Sequence, residues 1–405
     1  MNHSRPLEGI RVVEFTMYAA GSCCGRVLAS LGAEVIKVEP PSGDVYRYMG
    51  VGLGAVATED ENPVYDVENE GKQSIALNLH TAEAQSIVGK LLEQSDVLIT
   101  NYRDDALQRF GLTYDNLKEK YPKLVYGLVD GFGEQGPDAG RPGYDVSAYW
   151  ARSGMLGDFT EPGAALMSPM GASGDHNTGI ALAAGILAAL FGAQRTGRGE
   201  KVTASLYHAA IWALGTLFVG TQYGDRYPKS RHNPAITPIN HTYRCKDGEW
   251  FVLMALDLKK HWPALCKAIG REDLLQELKL GSYVGQKQNA KELVTLLDET
   301  FSTRDYEEWK QIFLACDVPI ERVCHMREVP GDEQARVNHF IDPITYPSGK
   351  TVYLSTPPLT LSDAGPREIK RAAKLGEHTA EVLQGLGYSP ELINQLKTDK
   401  VVLAR

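Results

Sequence analysis

No C-x-x-C pair occurs among the six cysteines, Cys23, Cys24, Cys245, Cys266, Cys316 and Cys324. That removes zinc-ribbon and thioredoxin-like chemistry. A reduced, cytoplasmic protein is the simplest account, with the adjacent Cys23 and Cys24 as small packing residues of a helix. No G-x-G-x-x-G follows the first predicted strand, so dinucleotide binding has little support. Positive charge is not in excess: the formal net charge is -9, which argues against nucleic acid as a partner. The opening residues, Met-Asn-His-Ser-Arg-Pro-Leu-Glu-Gly, lack the apolar core of a signal peptide. The apolar run Gly179 to Ala193 has fifteen residues, short of the roughly 20 that span a bilayer. No membrane partner is therefore expected. Internal repeats and low-complexity segments are missing too.

What remains is ordinary globular sequence, 43% hydrophobic and 23% charged over 405 residues, long enough for two domains. The first half alternates strand and helix. Ile10 to Thr16 reads as a strand, Ala19 to Leu31 as a helix and Ala33 to Glu39 as a second strand, a βαβ unit with a parallel pair. Lys72 to Leu79, Asp96 to Thr100, Leu124 to Val129 and Lys201 to Tyr207 continue the series, with a helix at Thr81 to Glu93. This predicts a doubly wound, Rossmann-like α/β layer, in which ligands bind beyond the carboxyl ends of the strands. After the fifth strand comes Gly131 to Asp145, with five Gly and two Pro in fifteen residues. An irregular loop of that length is commonly functional. Val146 to Gly154 then reads as a helix.

Near Gly224 the texture changes. Thr242 to Met254 is a hairpin turned by Asp-Gly, followed by amphipathic helices at Leu258 to Ile269, Ala290 to Phe301 and Tyr306 to Cys316. A smaller α+β domain over residues 224–331 is predicted, closed by the break at Pro330-Gly331. The large α/β domain then takes residues 1–223, and residues 332–405 return to it. Pro347 to Tyr353 reads as a short hairpin, and Glu377 to Leu396 as two polar surface helices.

The stretch Gly171-Ala-Ser-Gly-Asp-His-Asn-Thr-Gly179 leads into the apolar run, an Ala- and Leu-rich buried helix. Asp175 thus falls on a glycine-flanked turn at a helix N-terminus, where free N–H groups and the helix dipole favour negative charge. Two roles fit that place: an N-cap, since Asp is a preferred cap residue, or a carboxylate nucleophile.

A series of short motifs runs almost end to end. They are Leu7-Glu-Gly-Ile-Arg-Val-Val-Glu-Phe15, Leu31-Gly-Ala-Glu-Val-Ile-Lys-Val-Glu39, Gly43-Asp-x-x-Arg47, Asn69-x-x-Lys72, Asp96-Val-Leu-Ile-x-Asn101, Ala106-Leu-x-Arg109, Gly131-Phe-Gly-x-x-Gly-Pro137, Pro142-Gly-Tyr-Asp145, Gly174-Asp175, Thr196-Gly-x-Gly-x-x-Val202 and Gly376-Glu-His-Thr379. In this order and spacing the chain resembles the class III CoA-transferase, or CaiB/BaiF, family. Ala148 to Gly154, Gly174-Asp-His176 and Glu200 to His208 resemble its (R)-2-hydroxyacyl and phenyllactate sub-group.

The resemblance implies a CoA-transferase. It moves CoA from an acyl-CoA to a carboxylic acid, expected to be a 2-hydroxy acid. Asp175 would be the nucleophile, passing through an aspartyl mixed anhydride and an aspartyl-CoA thioester. Thioester is exchanged for thioester, so neither a metal nor a permanently bound cofactor is expected; coenzyme A enters as acyl-CoA substrate. By position Ala20, Lys72, Asn101, Tyr102, Arg109, Arg141 and Tyr144 match CoA contacts. Tyr149, Trp150 and Arg152 would line the acyl pocket, or form a core-facing helix with a surface arginine. His176 is either an acid/base partner or a local packing residue. The family also implies an intertwined homodimer, with site residues contributed by the second chain. Two alternatives share the fold: an α-methylacyl-CoA racemase-like isomerase, disfavoured by Tyr144 where that group carries histidine, and an inactive CoA-binding paralogue.

Overall fold

The computed structural model describes residues 5–405 except 168, 170, 225, 226, 235 and 366. The chain divides into two units, one of Met1–Met155, Ser168–Phe218 and Pro330–Arg405, the other of Leu156–Met167 and Val219–Val329. Residues 156–167, assigned to the large domain from sequence, join the second unit.

The first unit is built on six parallel strands: β1 (Arg11–Phe15), β2 (Glu34–Glu39), β3 (Gln73–Leu77), β4 (Val97–Thr100), β5 (Val125–Asp130) and β6 (Lys201–Ser205). Their spatial order is β3-β2-β1-β4-β5-β6, and Val402–Leu403 adds an antiparallel edge beside β3, making seven strands. Successive residues of a strand face opposite sides. Val12, Val35, Ile99 and Val125 go to one core, with helices Ala20–Ser30 and Ser173–Thr196. Val13, Ile36, Leu98 and Tyr126 go to the other, with helix Ala82–Glu93. Both faces are covered, so the strands read as nearly continuous apolar runs.

Three sequence expectations change here. Lys201 to Tyr207 is not all strand: helix Leu206–Ala213 takes Leu206 and Tyr207. The C-terminal helices Thr379–Gly385 and Pro390–Thr398 are not purely surface elements, because Val382, Leu383, Ile393 and Leu396 complete the core beside β3. Their many polar residues make the mean hydropathy low, so the sequence reads as polar although Ile393 and Leu396 fall on one face. The apolar run is the centre of a longer helix, Ser173–Thr196, of 24 residues. That helix is long and apolar enough to cross a membrane, yet its stripe Leu182, Ala183, Ile186 and Ala189 is buried in the core.

The second unit holds an antiparallel sheet of β7 (Asn240–Arg244), β8 (Trp250–Met254) and β9 (Ile320–Arg322). The Asp247-Gly248 turn joins the first two, with Gly248 at φ 91°, a conformation glycine takes without strain. Helices Leu258–Ala268, Ala290–Phe301 and Tyr306–Ala315 pack on it. Its core is aromatic, with Trp309 stacked on Phe313 at 5.5 Å.

Candidate active site

The helix Ser173–Thr196 starts after Ala172, which sits in the left-handed region at φ 74° and provides no side-chain cap. Asp175 is therefore the third residue of the first turn and not on the turn before it. The cap comes from elsewhere: Asp145 Oδ1 accepts the Asp175 backbone N–H at 3.0 Å. Gly174 must be glycine for this to happen, because a Cβ there would run into the Tyr149 ring and the Asp145 carboxylate. Among the described residues nothing hydrogen-bonds to the Asp175 carboxylate, so of the two roles left open by sequence the N-cap is filled by Asp145.

Asp145 reaches that place through the glycine-rich loop. Gly131 and Gly143 press backbone to backbone, where a Cβ on either would collide with the other. The loop is thereby folded back, and Tyr144 and Asp145 open a wide helical turn, Asp145–Ala151, in which the Arg152 N–H bonds the Ser147 carbonyl five residues behind. Such π-type turns are frequent at functional sites. It replaces the α-helix expected over Val146 to Gly154.

Burial pushes the Asp175 carboxyl up to about 7, and the Asp145 and Glu68 carboxylates add to the rise, while His176 opposes it. Burial also raises Asp145. Glu68 comes from helix Pro63–Asn69 and is 1% exposed. Its Oε1 lies 2.6 Å from His176 Nε2, and this hydrogen bond raises the imidazole above its ordinary value. Neither Asp145 nor Glu68 was given a role from sequence. Asp145 had a signal, as the last residue of Pro142-Gly-Tyr-Asp145; Glu68 had none.

The other expected site residues fall into three groups. Ala20, Tyr149, Trp150 and Tyr144 gather near Asp175. Ala20 opens helix Ala20–Ser30, and its carbonyl faces Gly179 at a helix crossing too close for a Cβ. Tyr149 is 4% exposed and its hydroxyl accepts from Asn177 Nδ2 at 3.1 Å. Trp150 Nε1 donates to Ser173 Oγ at 3.1 Å. These two rings brace the first turn. Tyr144 is exposed and meets the Tyr18 ring edge-on at 5.8 Å. Tyr18 itself has φ 63°, an uncommon conformation for a large side chain and one that clusters at functional sites.

A second group shapes the loops. Asn101 clamps the turn after β1, accepting from Met17 N at 3.0 Å and donating to Met17 O at 2.6 Å. Tyr102 packs against Phe15 at 6.4 Å. Arg109, Arg141 and Arg152 lie exposed, paired across solvent with Asp105 at 3.6 Å, Asp138 at 3.2 Å and Asp138 at 3.1 Å.

Lys72 stands apart. Its ammonium is buried and bonds Glu14 at 2.9 Å, Ser22 O at 2.7 Å and Asn69 Oδ1 at 3.0 Å. Glu14 also takes Lys37 at 3.1 Å, which in turn holds Asp44 at 3.1 Å. Lys72 therefore ties β1 to the residue ahead of β3 under the first βα turn, with its ammonium committed to partners inside the protein.

A doubly wound sheet with an uncapped-looking acidic side chain on the first turn of its longest helix defines an α/β protein whose site is organised by carboxylates. The family model for CoA-transferase family III matches residues 7–379. The chain is 40% identical to the (R)-2-hydroxy-4-methylpentanoate CoA-transferase of Clostridioides difficile, over 98% of this chain and 99% of that one. It is 36% identical to the cinnamoyl-CoA:phenyllactate CoA-transferase of Clostridium sporogenes, over 100% and 99% of the two chains. The crystal structure of a CAIB/BAIF family protein from Brucella suis superposes with a TM-score of 0.78 at 28% identity, covering 95% of this chain and all of that one (100%). The chain belongs to CoA-transferase family III, and it is a CoA-transferase.

Proposed function

We propose that this chain transfers CoA from an acyl-CoA to the carboxylate of a 2-hydroxy acid, with Asp175 as covalent nucleophile. The observation that carries the reading is the unbonded Asp175 carboxylate, left free because Asp145 has taken over the cap. Its likeness to two transferases named for a 2-hydroxy acid and for phenyllactate supports the acceptor class.

In this reading the ionised Asp175 attacks the donor thioester carbonyl. A C–O bond forms, the C–S bond breaks, and CoA thiolate leaves a mixed anhydride. The thiolate attacks the aspartyl carbonyl, releasing the donor acid and forming an aspartyl-CoA thioester. The acceptor carboxylate attacks that thioester and frees the thiolate again. The thiolate then attacks the acceptor's acyl carbon, giving the new acyl-CoA and restoring the Asp175 carboxylate. Each half divides one difficult exchange into easier steps. Removal from water raises the basicity of the attacking oxygen, and the first turn's dipole steadies negative charge beside it. Arg109 and Arg141 are exposed, and their solvent-facing pairs with Asp105 and Asp138 are weak enough to exchange for phosphates. Quenching the enzyme with acyl-CoA alone and weighing the Asp175 peptide tests the reading: an aspartyl-CoA adduct supports it, and its absence with undiminished turnover rejects it.

We also infer a homodimer. Phe191 is 63% and Trp212 84% exposed on neighbouring helices of the first unit, side chains that an interface between two copies would cover. A second copy of the chain is the occupant that the family architecture supplies. Light scattering of a stable monomer at micromolar concentration would reject this.

A further inference from the structure

Three carboxyl groups converge on one turn. Asp145 bonds the Asp175 backbone N–H, and Glu68 bonds His176, the next residue; Glu68 is buried with its Oε2 unpartnered among the described residues. Like charges so placed disfavour an ionised nucleophile. One side chain of opposite sign is built into the same turn. His176 follows Asp175 in sequence and is fixed on Glu68 at 2.6 Å. We propose that the Glu68–His176 pair is a positioning device for Asp175: the imidazolium, held in place by Glu68, cancels the negative charge that Glu68 brings, so that only Asp145 opposes ionisation of residue 175.

This rests on Asp175 as the reacting group but adds a separate claim about charge. Lys72 also acts on Glu68, but its ammonium is bound to Glu14, Ser22 and Asn69, and the other surrounding groups leave the task to His176. Tyr46 and Cys23 face Asp175, and burial holds the Cys23 thiol up at about 12 and keeps the Tyr46 hydroxyl neutral. Arg26 from helix Ala20–Ser30 is a fixed cation near His176 and Glu68, with its guanidinium committed to the Val67 and Ser355 carbonyls. His176 is thus the neighbour that both changes charge near neutrality and reaches Glu68 directly. A histidine holding a buried carboxylate merely for packing would make the same bond, so the two roles must be separated by charge.

The test compares four backgrounds: wild type, His176→Gln, Glu68→Gln and the double variant His176→Gln/Glu68→Gln. Each is paired with its own Asp175→Asn version, and unfolding midpoints are followed from pH 4 to pH 9. The difference within a pair grows until residue 175 is fully ionised in the folded state and then levels off, so its plateau reports that ionisation without substrate. We expect the plateau to move up by about one pH unit in His176→Gln, a shift of the size one nearby charge produces, and to return to the wild-type position in the double variant. Glu68→Gln alone moves it little, because the imidazole loses its partner's charge and its own together. Single-turnover adduct formation with cinnamoyl-CoA follows the same shifts. An unmoved plateau in His176→Gln, or a double variant that is not restored, overturns the proposal. Where His176→Gln does not fold, His176→Asn takes its place. An Asp175→Asn enzyme that still forms the adduct rejects the nucleophile instead, and the plateau measurements decide the charge arrangement regardless.

Discussion

Asp145 caps the helix that carries Asp175, accepting its backbone N–H at 3.0 Å. One carboxylate satisfies the helix end so that the other remains unbonded, and the first opposes ionisation of the second. Replacement of Asp145 separates these effects. Asp145→Asn keeps an oxygen acceptor and removes the charge, so the acidic limb of the rate profile should move to lower pH with little loss of stability. Asp145→Ala removes the cap as well and should cost about 1 kcal/mol more. Rate profiles with urea titrations of the two variants provide the check.

Asp175→Asn should abolish turnover and stabilise the protein. The carboxyl is raised to about 7 in the fold against about 3.9 in an unfolded chain. Between those values the folded state binds more protons than the unfolded one, so wild-type stability falls as pH rises. Above pH 7 the full penalty is present, on the order of 1–3 kcal/mol after allowance for partial solvent access; below pH 4 it vanishes. The variant lacks this term. Its unfolding midpoint should exceed wild type at pH 8 and match it at pH 4.

Gly174→Ala should disrupt the site, since the new methyl meets the Tyr149 ring and the Asp145 carboxylate. A loss of about 2 kcal/mol is expected, in the range of overpacking, with activity falling further because the cap moves. Gly192→Ala in the same helix meets nothing within 4 Å and should instead stabilise by about 0.5–1 kcal/mol through helix propensity. Thermal unfolding of the pair distinguishes crowding from a general intolerance of alanine.

Lys72→Met should lower stability by about 1–3 kcal/mol, the cost of removing one charged hydrogen-bond partner from a buried carboxylate: Glu14 loses Lys72 and keeps Lys37. Arg109→Ala, whose side chain is 58% exposed, should leave stability within about 0.5 kcal/mol and raise KM for acyl-CoA. If Lys72 contacted CoA and nothing else, the two variants would behave alike in a joint measurement of KM and urea midpoint.

The elements themselves were legible because their code is local. Val12 and Val13 alternate faces within β1, the Asp247-Gly248 turn announces its hairpin, and the Ala- and Leu-rich run declares a helix, all within a few residues. The glycines around Asp175 marked a helix start where negative charge is favoured, and motif order pointed to the family. What only the tertiary structure decided was which charges meet. Lys72 finds Glu14 across 58 residues and His176 finds Glu68 across 108, pairings that no periodicity encodes because chain folding, not spacing, sets the distance. The same holds for the helix start: Ala172 turns left-handed and Asp145 arrives from 30 residues away, so the carboxylate of a residue that resembled a cap in sequence is left unbonded among the described residues. Burial, which raises its proton affinity, likewise exists only once the chain has folded.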